Sequence, residues 1–544
     1  MELAPSHRRI DLRTALWLGL GVFVVLAPGA FLGVPGKSVA GAWRVLAGEV
    51  PYRDFWSMYA PGQFYATAAV LALTGKQVIA PALVACALKA LTVSLLFLAS
   101  LGFGAPRQLA LLACALLGLA LFEIAPELSS YPPALALIAA ALASIAREPR
   151  SCLHAGLFLG CAAFFKHDVA AYATSAVALG LLAEPWLGGE HAEQRSQGLR
   201  EALLVGGVAT GVVAFFGAGL ALLAGRDALV DLVLFPLGDF RLVRSEAYPG
   251  LWPNLPLVTK YLDDMANLTR GRDAVEALSE WMLGNAPQAV FVAVLFVFVR
   301  ERRALACKTR LGLAILLTAL PLYWWAAHTQ QNTHFTSMGV ASILALVLAS
   351  PCLRGRVGRR TFLALALFQV TALFTRPLLD LALPLRAWSR VESLDLPHAA
   401  GICVSPRERE VYSKIRAFTD ARLAPDEPVY LGVERHDAIV INNPRFLWLL
   451  DRPCATRYHE LHPAITDRED VQREMIAELE RRRVRCAVIW RFGWPKTMLD
   501  SIVKERRAAI PQCGATLLDE FLAREFRPAL EVGEYVVLWR ELER

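Results

Sequence analysis

The chain has 544 residues, of which 56% are hydrophobic and 19% are charged. Its mean hydropathy is +0.42, and its charged share lies below the quarter or so that soluble domains usually carry, which excludes an entirely soluble protein. The formal net charge of +7 is accompanied by no nucleic-acid-binding module, so we expect no nucleic-acid partner.

Apolar stretches fill the chain up to about residue 385, and a charge-rich segment follows. We predict a polytopic α-helical membrane protein with a transmembrane domain at residues 1–385 and a soluble α/β domain at residues 386–544. A spanning helix needs about 20 mostly apolar residues, which the stretch 61–75 lacks, so we interpret that stretch as an interfacial or re-entrant helix. About eleven spans are predicted, at residues 14–34, 78–103, 109–125, 132–146, 151–166, 169–185, 202–224, 284–300, 311–328, 334–350 and 361–375.

The distribution of lysine and arginine predicts how these spans are oriented. Arg107 and the basic runs at 147–150, 300–310 and 354–360 share one side if the N-terminus is cytoplasmic. An odd number of spans then puts the C-terminal domain outside. The prediction is a multi-pass protein of the bacterial cytoplasmic (inner) membrane, with an uncleaved N-terminal anchor and a periplasmic C-terminal domain.

Helix and strand patterns alternate after residue 390 and predict a small α/β domain with a partly parallel sheet. Ser405 and Glu408 form a capping-box pattern at a helix start, and Thr466 and Glu469 repeat it. The helix after the second box has one apolar face, formed by Val471, Met475, Ile476 and Leu479. The runs 428–433, 484–490 and 535–539 are typical of buried strands.

The C-terminal loop, residues 434–463, is unusually polar. It is either a metal site, to which His459 and His462 supply two ligands, or a polar network that closes the domain onto the membrane region. We favour the network, because most histidine-containing loops hold no metal. The polar residues of the loop are His436, Asp437, Asn442, Asn443, Asp451, Arg457, His459, Glu460 and His462.

The ten cysteines show no metal-binding spacing. Six lie in or beside predicted spans, where cysteine behaves as a small apolar residue. A disulfide and buried free thiols are the two alternatives for those of the C-terminal domain, which are Cys403, Cys454, Cys486 and Cys513.

Charged groups near a membrane are costly and therefore mark candidate functional sites. Asp54 lies in "GEVPYRDFWSMYAPG", residues 48–62, among aromatic and basic side chains. It is either a solvated acid that caps a short interfacial helix or a catalytic carboxylate at the outer membrane surface. In the second case, Tyr59 of the same segment is a candidate substrate contact.

The turn "FFKHD", residues 164–168, is a second candidate. Lys166, His167 and Asp168 are either solvated charges of a hairpin turn or a phosphate-binding group. An ammonium is a common partner of phosphate, so Lys166 is the candidate phosphate contact, assisted by His167 or Asp168.

Further polar residues fall on the same predicted outer side. His334 either reaches a phosphate or sugar hydroxyl or belongs to a solvated connector. Glu123 and Glu127 are candidates for a second carboxylate, and Arg376 for added positive charge. Lys89 lies inside a span and has no partner that the sequence can name. Because the strongest polar groups share one side, we predict one external site for a lipid-linked substrate.

The segments "GEVPYRDF" and "YAPGQFY" resemble the first external loop of the C-type (GT-C) integral-membrane glycosyltransferases. That family includes protein O-mannosyltransferase-like enzymes and bacterial aminoarabinose transferases acting on lipid A. "FFKHD" resembles the lysine-containing turn of many bacterial members, and "TRYHELHP" resembles a stretch in C-terminal domains of bacterial members. The resemblance implies a GT-C-like fold.

The resemblance also implies a mechanism. A polyprenyl-phosphate sugar is the donor, a glycolipid or protein is the acceptor, and a hexosyl or pentosyl group is transferred with inversion. Asp54 acts as general base, and Lys166, His334 and Arg376 stabilise the phosphate charge. Many members carry a paired acid in the first loop, whereas Asp54 has no adjacent acid here. Whether Glu123, Glu127 or Asp168 replaces it is open, and so is any need for a divalent metal.

Two other classes of function remain open. A transporter or flippase of lipid-linked sugars requires polar residues through the bundle centre and paired broken helices. Lys89 fits that class, but no repeat is present in the sequence. The third class is a membrane-anchored assembly protein whose α/β domain is the active part.

Overall fold

The computed structural model describes residues 5–121, 124, 127–238, 242, 271–326, 331–353, 355–387, 390–438, 442–491 and 493–542. The described part of residues 1–385, which is called the membrane region below, is mainly helical. Its helices up to residue 224 are α1 (Pro5–Ala30), α2 (Lys37–Leu46), α3 (Gly62–Leu73), α4 (Ile79–Gly102), α5 (Arg107–Ala120), α6 (Tyr131–Ala146), α7 (Cys152–Ala163), α8 (His167–Gly188) and α9 (Ala192–Ala224).

The chain continues after α9 as two short helices, α10 (Arg226–Leu229) and α11 (Phe235–Leu237), joined by a π-helical turn at Val230–Leu234. Four long helices follow, which are α12 (Gly271–Glu301), α13 (Cys307–Ala326), α14 (Gln331–Ala349) and α15 (Gly355–Ala387). The remainder of the predicted 225–283 loop lies outside the described residues.

Four of the described helices are long and apolar enough to cross a membrane, namely Arg9–Ala30, Ile79–Gly102, Ala192–Ala224 and Gly284–Glu301. Shorter apolar helices include Gly62–Leu73, Arg107–Ala120, Tyr131–Ala146, Cys152–Ala163 and Met338–Cys352. The described part of the chain is therefore mostly helical, and its apolar helices indicate a membrane protein, as predicted. The total of about eleven spans, their orientation and the type of membrane stay predictions.

The C-terminal region, residues 386–544, contains a four-stranded sheet in the order β3-β4-β6-β5. β3 (Val429–Val433) is parallel to β4 (Cys486–Trp490), whereas β6 (Tyr535–Trp539) is antiparallel to both β4 and β5 (Arg527–Val532). β1 (Glu392–Ser393) and β2 (Cys403–Val404) form a separate antiparallel pair. The helices are α16 (Pro406–Asp420), α17 (Phe446–Leu450), α18 (Glu469–Arg481), α19 (Lys496–Ala509) and α20 (Leu517–Glu525). The partly parallel α/β arrangement agrees with the sequence patterns.

Of the two capping boxes predicted in this region, one is present and one is absent. The Ser405–Glu408 capping box is present at the start of α16. The Thr466–Glu469 box is wrong, because α18 begins at Glu469 itself, after an extended Arg468. The Thr466 hydroxyl instead accepts from the His462 N–H at 2.9 Å, so it caps a turn of the C-terminal loop. All ten cysteines are free thiols.

Successive strand residues point to opposite faces of a sheet. All five residues of β3 are buried, so the sheet of the C-terminal region is covered on both faces. Val429 and Leu431 share one cluster with α2 and α3 residues such as Val39, Trp43 and Leu71. Tyr430 shares another with Trp56 and Phe235. The segment between α1 and α4 therefore packs into the cores on both faces of the sheet. This packing brings the first loop, residues 47–61, to the edge of the C-terminal region.

Candidate functional site

Arg44 of α2 holds the first loop in place. Its side chain is only 4% exposed and is ion-paired with Glu49. The guanidinium donates at 2.9 Å to the backbone oxygens of both Asp54 and Thr456. The loop itself is closed by a hydrogen bond of 2.7 Å from the Tyr52 N–H to the Phe55 oxygen. Arg44 thus fixes the backbone on which Asp54 is carried.

The carboxylate of Asp54 is partly exposed and already paired. It accepts from the Val50 N–H at 2.7 Å and from Arg53 at 2.7 Å, and 32% of its side chain is exposed. The hydrogen bond from Arg53 is the largest cause that lowers its pKa, and the Val50 N–H adds to it. Asp54 is therefore ionised at neutral pH, and the guanidinium of Arg53, which is 51% exposed, is bonded to its carboxylate.

The turn between α7 and α8 forms a second charged group, the Lys166 cluster, which consists of Tyr59, Tyr131, Lys166 and Asp168. Lys166 Nζ lies 3.2 Å from an Asp168 oxygen and 5.2 Å from the centre of the Tyr131 ring. The Tyr59 phenol is close enough to Lys166 for an electrostatic interaction. The ammonium is therefore largely enclosed by two phenols and one carboxylate.

Close backbone contact brings the first loop to this cluster. The Gly62 N–H donates to the Phe164 oxygen at 2.9 Å, and a Cβ on Gly62 would lie only 2.5 Å from that oxygen. Glycine is therefore needed at position 62, where α3 meets the end of α7. This contact explains how Tyr59 reaches Lys166.

An apolar cavity of about 80 Å³ lies between the helices beside the cluster. Residues of α4, α5, α6, α8, α13 and α14 line it, among them Leu96, Ala176 and Tyr323. Tyr323 interacts electrostatically with Asp168 and with Tyr131. The apolar cavity therefore adjoins the Lys166 cluster at the Tyr323 side.

Glu127 and Lys37 lie where α1 passes into α2. The Gly36 N–H donates to Glu127 at 2.6 Å. Lys37 Nζ pairs with Glu460 at 2.5 Å and lies 5.7 Å from the centre of the Tyr59 ring. Glu127 therefore contacts the residue that precedes Lys37. Lys37 in turn lies over Tyr59, the tyrosine that also interacts with Lys166.

The C-terminal loop is bound to the first loop by many contacts. The Arg457 guanidinium donates to the backbone oxygen of Tyr52 at 2.6 Å. The backbone N–H of Trp56 donates to the backbone oxygen of Arg457 at 3.2 Å. The indoles of Trp43 and Trp448 donate to Asp451 and to the Pro35 oxygen. These contacts agree with the interpretation of the loop as a closing network.

The two histidines of that loop face aromatic rings. His459 lies 5.2 Å from Phe55, and His462 lies 5.6 Å from Trp56, between ring centres. Neither nitrogen of His459 has a hydrogen-bond partner in the described part of the chain. Burial, followed by the charges of Arg44 and Lys37, places its pKa well below the usual value. Within the described residues, no three His, Cys, Asp or Glu side chains are grouped to hold a metal ion.

The segment after α9 covers the junction of the two loops. Asp231 is buried and lies 3.3 Å from Arg457, and Phe235 packs on Trp56 at 5.7 Å between ring centres. Burial raises the pKa of Asp231 to about 7, against the opposing charge of Arg457. The segment therefore adds a third element to the contact between the first loop and the C-terminal region.

The predicted site residues are thus only partly brought together. Tyr59, Lys166 and Asp168 form one cluster, while the described contacts of Asp54 involve Val50, Arg53 and Arg44. His167 begins α8, and its Nδ1 is buried without a described partner. His334 and Arg376 lie in α14 and α15, but their side chains fall outside the described residues, as does Glu123.

Sequence reasoning missed Lys37 and Tyr131, and it did not assign Glu460 to the site. A signal for Lys37 is present in the sequence. It directly follows the first apolar segment on the predicted outer side, where positive residues are depleted. A lysine at that position is an exception to the charge bias and marks a candidate site residue.

Solved structures with a weak likeness to this chain include the S. cerevisiae protein O-mannosyltransferase Pmt1–Pmt2 complex bound to the sugar donor, with a TM-score of 0.34 and 18% sequence identity. The match covers 41% of this chain and 36% of that chain, so this chain spans little more than a third of its length. A likeness at this level carries no argument about activity. No protein-family model and no curated protein sequence matches the chain.

Proposed function

We propose that the protein is a glycosyltransferase that moves a hexosyl or pentosyl group from a polyprenyl-phosphate donor to an acceptor hydroxyl at the outer face of the cytoplasmic membrane. The observation that carries this proposal is the apolar cavity next to the Lys166 cluster. A donor of this class has a long apolar chain and one phosphate. The isoprenyl unit next to the phosphate matches the apolar cavity, and the phosphate matches a buried ammonium.

The proposed reaction is a single displacement. Asp54 takes the proton of the acceptor hydroxyl, and the oxygen attacks the anomeric carbon as the bond from that carbon to the phosphate oxygen breaks. The polyprenyl phosphate leaves as a monoester, and the configuration at the anomeric carbon is inverted. Positioned proton transfer of this kind contributes about 10²–10⁴-fold to the rate.

The Lys166 cluster stabilises the leaving phosphate in the proposed reaction. The leaving phosphate gains one negative charge as the bond breaks, and a fixed cation stabilises that charge most in the transition state. Asp168, Tyr59 and Tyr131 orient the ammonium of Lys166. Glu127, His167, His334 and Arg376 remain proposed substrate contacts at the same external site.

Asp54 is separated from this cluster along the first loop, and Arg53 occupies its carboxylate. In the proposed reaction, the acceptor therefore displaces Arg53 from Asp54. The exposure of Arg53 makes that displacement inexpensive, because an exposed ion pair is typically worth only about 0–1 kcal/mol.

The test uses the full-length protein in lipid nanodiscs with a panel of undecaprenyl-phosphate hexoses and pentoses. Release of undecaprenyl phosphate is followed by mass spectrometry in the presence of envelope glycolipid and protein acceptors. We expect release with at least one donor, and its loss in Asp54→Asn. Asp395→Asn is the matched control, since Asp395 is also a carboxylate paired with an exposed arginine.

Two results would contradict the proposal. Full release by Asp54→Asn excludes Asp54 as the base. In sealed vesicles, movement of the intact donor across the bilayer without release of undecaprenyl phosphate excludes a transferase and supports the transporter class.

A further inference from the structure

Lys37 and Glu460 form an ion pair that joins the membrane region to the C-terminal region. Lys37 begins α2, and its Nζ lies 2.5 Å from a Glu460 oxygen. The Glu460 side chain is only 3% exposed, whereas that of Lys37 is 35% exposed. The carboxylate is thus the buried partner, and the ammonium is the accessible one.

The ammonium of Lys37 is directed to the Lys166 cluster. It lies 5.7 Å from the centre of the Tyr59 ring, and the phenol of Tyr59 interacts electrostatically with Lys166. Two lysines from distant parts of the chain therefore approach the same tyrosine. One is at the start of α2, and the other directly precedes α8.

We propose that Lys37 is a second phosphate-binding cation of the donor site and that Glu460 is the residue that positions it. This inference rests on the proposed function and extends it to the C-terminal region. A phosphodiester donor carries one negative charge, and the released monoester carries up to two. Each ammonium has three N–H donors, so Lys37 and Lys166 together can bond more of the phosphate oxygens than Lys166 alone.

Glu460 is suited to positioning because its side chain is buried among packed side chains. His459 and His462 flank it in sequence and pack on Phe55 and Trp56 of the first loop. Removing one partner of a buried ion pair is strongly destabilising, so the pair keeps the ammonium of Lys37 beside Glu460. An ammonium has three N–H donors, so it can contact a phosphate while it remains bonded to Glu460.

This arrangement makes the C-terminal region part of the donor site. The phosphate would be held between a lysine at the start of α8 and a lysine fixed by the C-terminal loop. Donor binding would then depend on contact between the two regions, which Arg44 and Arg457 also maintain.

The experiment measures binding of undecaprenyl phosphate and of undecaprenol, which lacks the phosphate, to the protein in nanodiscs. We expect Lys37→Gln to weaken binding of undecaprenyl phosphate at least tenfold and to leave undecaprenol unaffected. Lys37→Arg is expected to retain most of the wild-type affinity for undecaprenyl phosphate, because the charge is kept. Glu460→Gln also weakens the phosphate ligand selectively. Lys76→Gln is the matched control, since Lys76 likewise lies over an aromatic ring, 4.8 Å from that of Trp43.

Turnover gives a second readout. Loss of one charge-stabilising donor typically lowers kcat by about 10²–10³-fold, so Lys37→Gln is expected to lower kcat as well as donor affinity. Equal affinity of wild type and Lys37→Gln for undecaprenyl phosphate overturns this inference alone. Equal weakening of both ligands indicates a structural role and overturns it too. A wild-type protein that binds no undecaprenyl phosphate overturns the proposed function together with the inference.

Discussion

Arg44 of α2 donates one hydrogen bond of 2.9 Å to the Asp54 backbone and another of 2.9 Å to Thr456 in the C-terminal region. One buried guanidinium therefore determines the position of the candidate base and the contact between the two regions. This relationship connects the stability of the junction to the geometry of the proposed site.

The first prediction concerns this guanidinium. Arg44→Met is expected to destabilise the protein by about 2–4 kcal/mol, because buried acceptors lose a charged donor. Tryptophan fluorescence during denaturant unfolding in detergent measures the change. Arg422→Met is the control, since Arg422 is exposed over the Phe418 ring. Equal destabilisation by the two variants would show that Arg44 has no special role.

The second prediction uses the pairing of Asp54 with Arg53. The hydrogen bond from Arg53 is the main reason that the pKa of Asp54 is lowered, so Arg53→Gln raises that pKa. The acid limb of the pH–rate profile for sugar transfer is then expected to move to higher pH. The pairing also contributes to the free energy of unfolding. Because the pKa of Asp54 is lower in the folded protein, this contribution is present at pH values above the pKa of the unfolded chain and is lost as the pH falls through the folded pKa. An acid limb that does not move would show that another group limits the reaction.

The third prediction concerns the contact of Gly62 with Phe164. A methyl group at Gly62 cannot fit 2.5 Å from the Phe164 oxygen, so Gly62→Ala must move α3 away from α7. Overpacking of this kind costs about 1–3 kcal/mol, and displacement of Tyr59 from Lys166 is expected to lower sugar transfer by up to about 10²-fold. Gly21→Ala is the control, because no atom lies within 4 Å of its added Cβ. Similar activity of the two variants would contradict the importance of this contact.

Local chemistry explains which parts were predictable. The Ser405–Glu408 box and the three apolar strands follow from residues a few positions apart. Lys166 and Asp168 are also neighbours in sequence. In contrast, Lys37 and Glu460 are 423 positions apart, and a single sequence gives no register for such a contact. β5 was missed because it is an exposed strand at the sheet edge and contains Pro528.

The failed capping box shows a competing use of the same side chain. Thr466 and Glu469 have the required spacing, yet the Thr466 hydroxyl is bonded to the backbone of His462. Threonine hydroxyls bond equally well to turns and to helix ends. Whether the Thr466 hydroxyl bonds to a turn or to a helix end depends on the tertiary position of the C-terminal loop. The spacing of residues in the sequence does not determine that position.

The fourth prediction concerns Asp231 at the junction. Burial raises its pKa to about 7, so the folded protein binds a proton there that the unfolded chain releases near pH 4. Its contribution to stability is therefore present at low pH and is lost as pH rises to about 7, with a slope of at most about 1.4 kcal/mol per pH unit. Melting temperatures from pH 4 to 8 measure this effect. Asp231→Asn is expected to gain stability relative to wild type as pH rises, and a constant difference would contradict the raised pKa.

The fifth prediction tests the apolar cavity. Ala176 lines it, so Ala176→Phe is expected to reduce the space available for a polyprenyl chain. If the isoprenyl unit next to the phosphate occupies this cavity, the KM for an undecaprenyl donor rises several-fold, whereas the KM for a sugar phosphate without a lipid chain changes little. Val213→Phe on α9 is the matched control, since Val213 is 45% exposed on an apolar helix. A similar KM change for both donors would instead indicate general overpacking. An unchanged KM for the long-chain donor would show that the chain binds elsewhere, because a phenyl ring in the cavity and a prenyl chain cannot occupy the same volume.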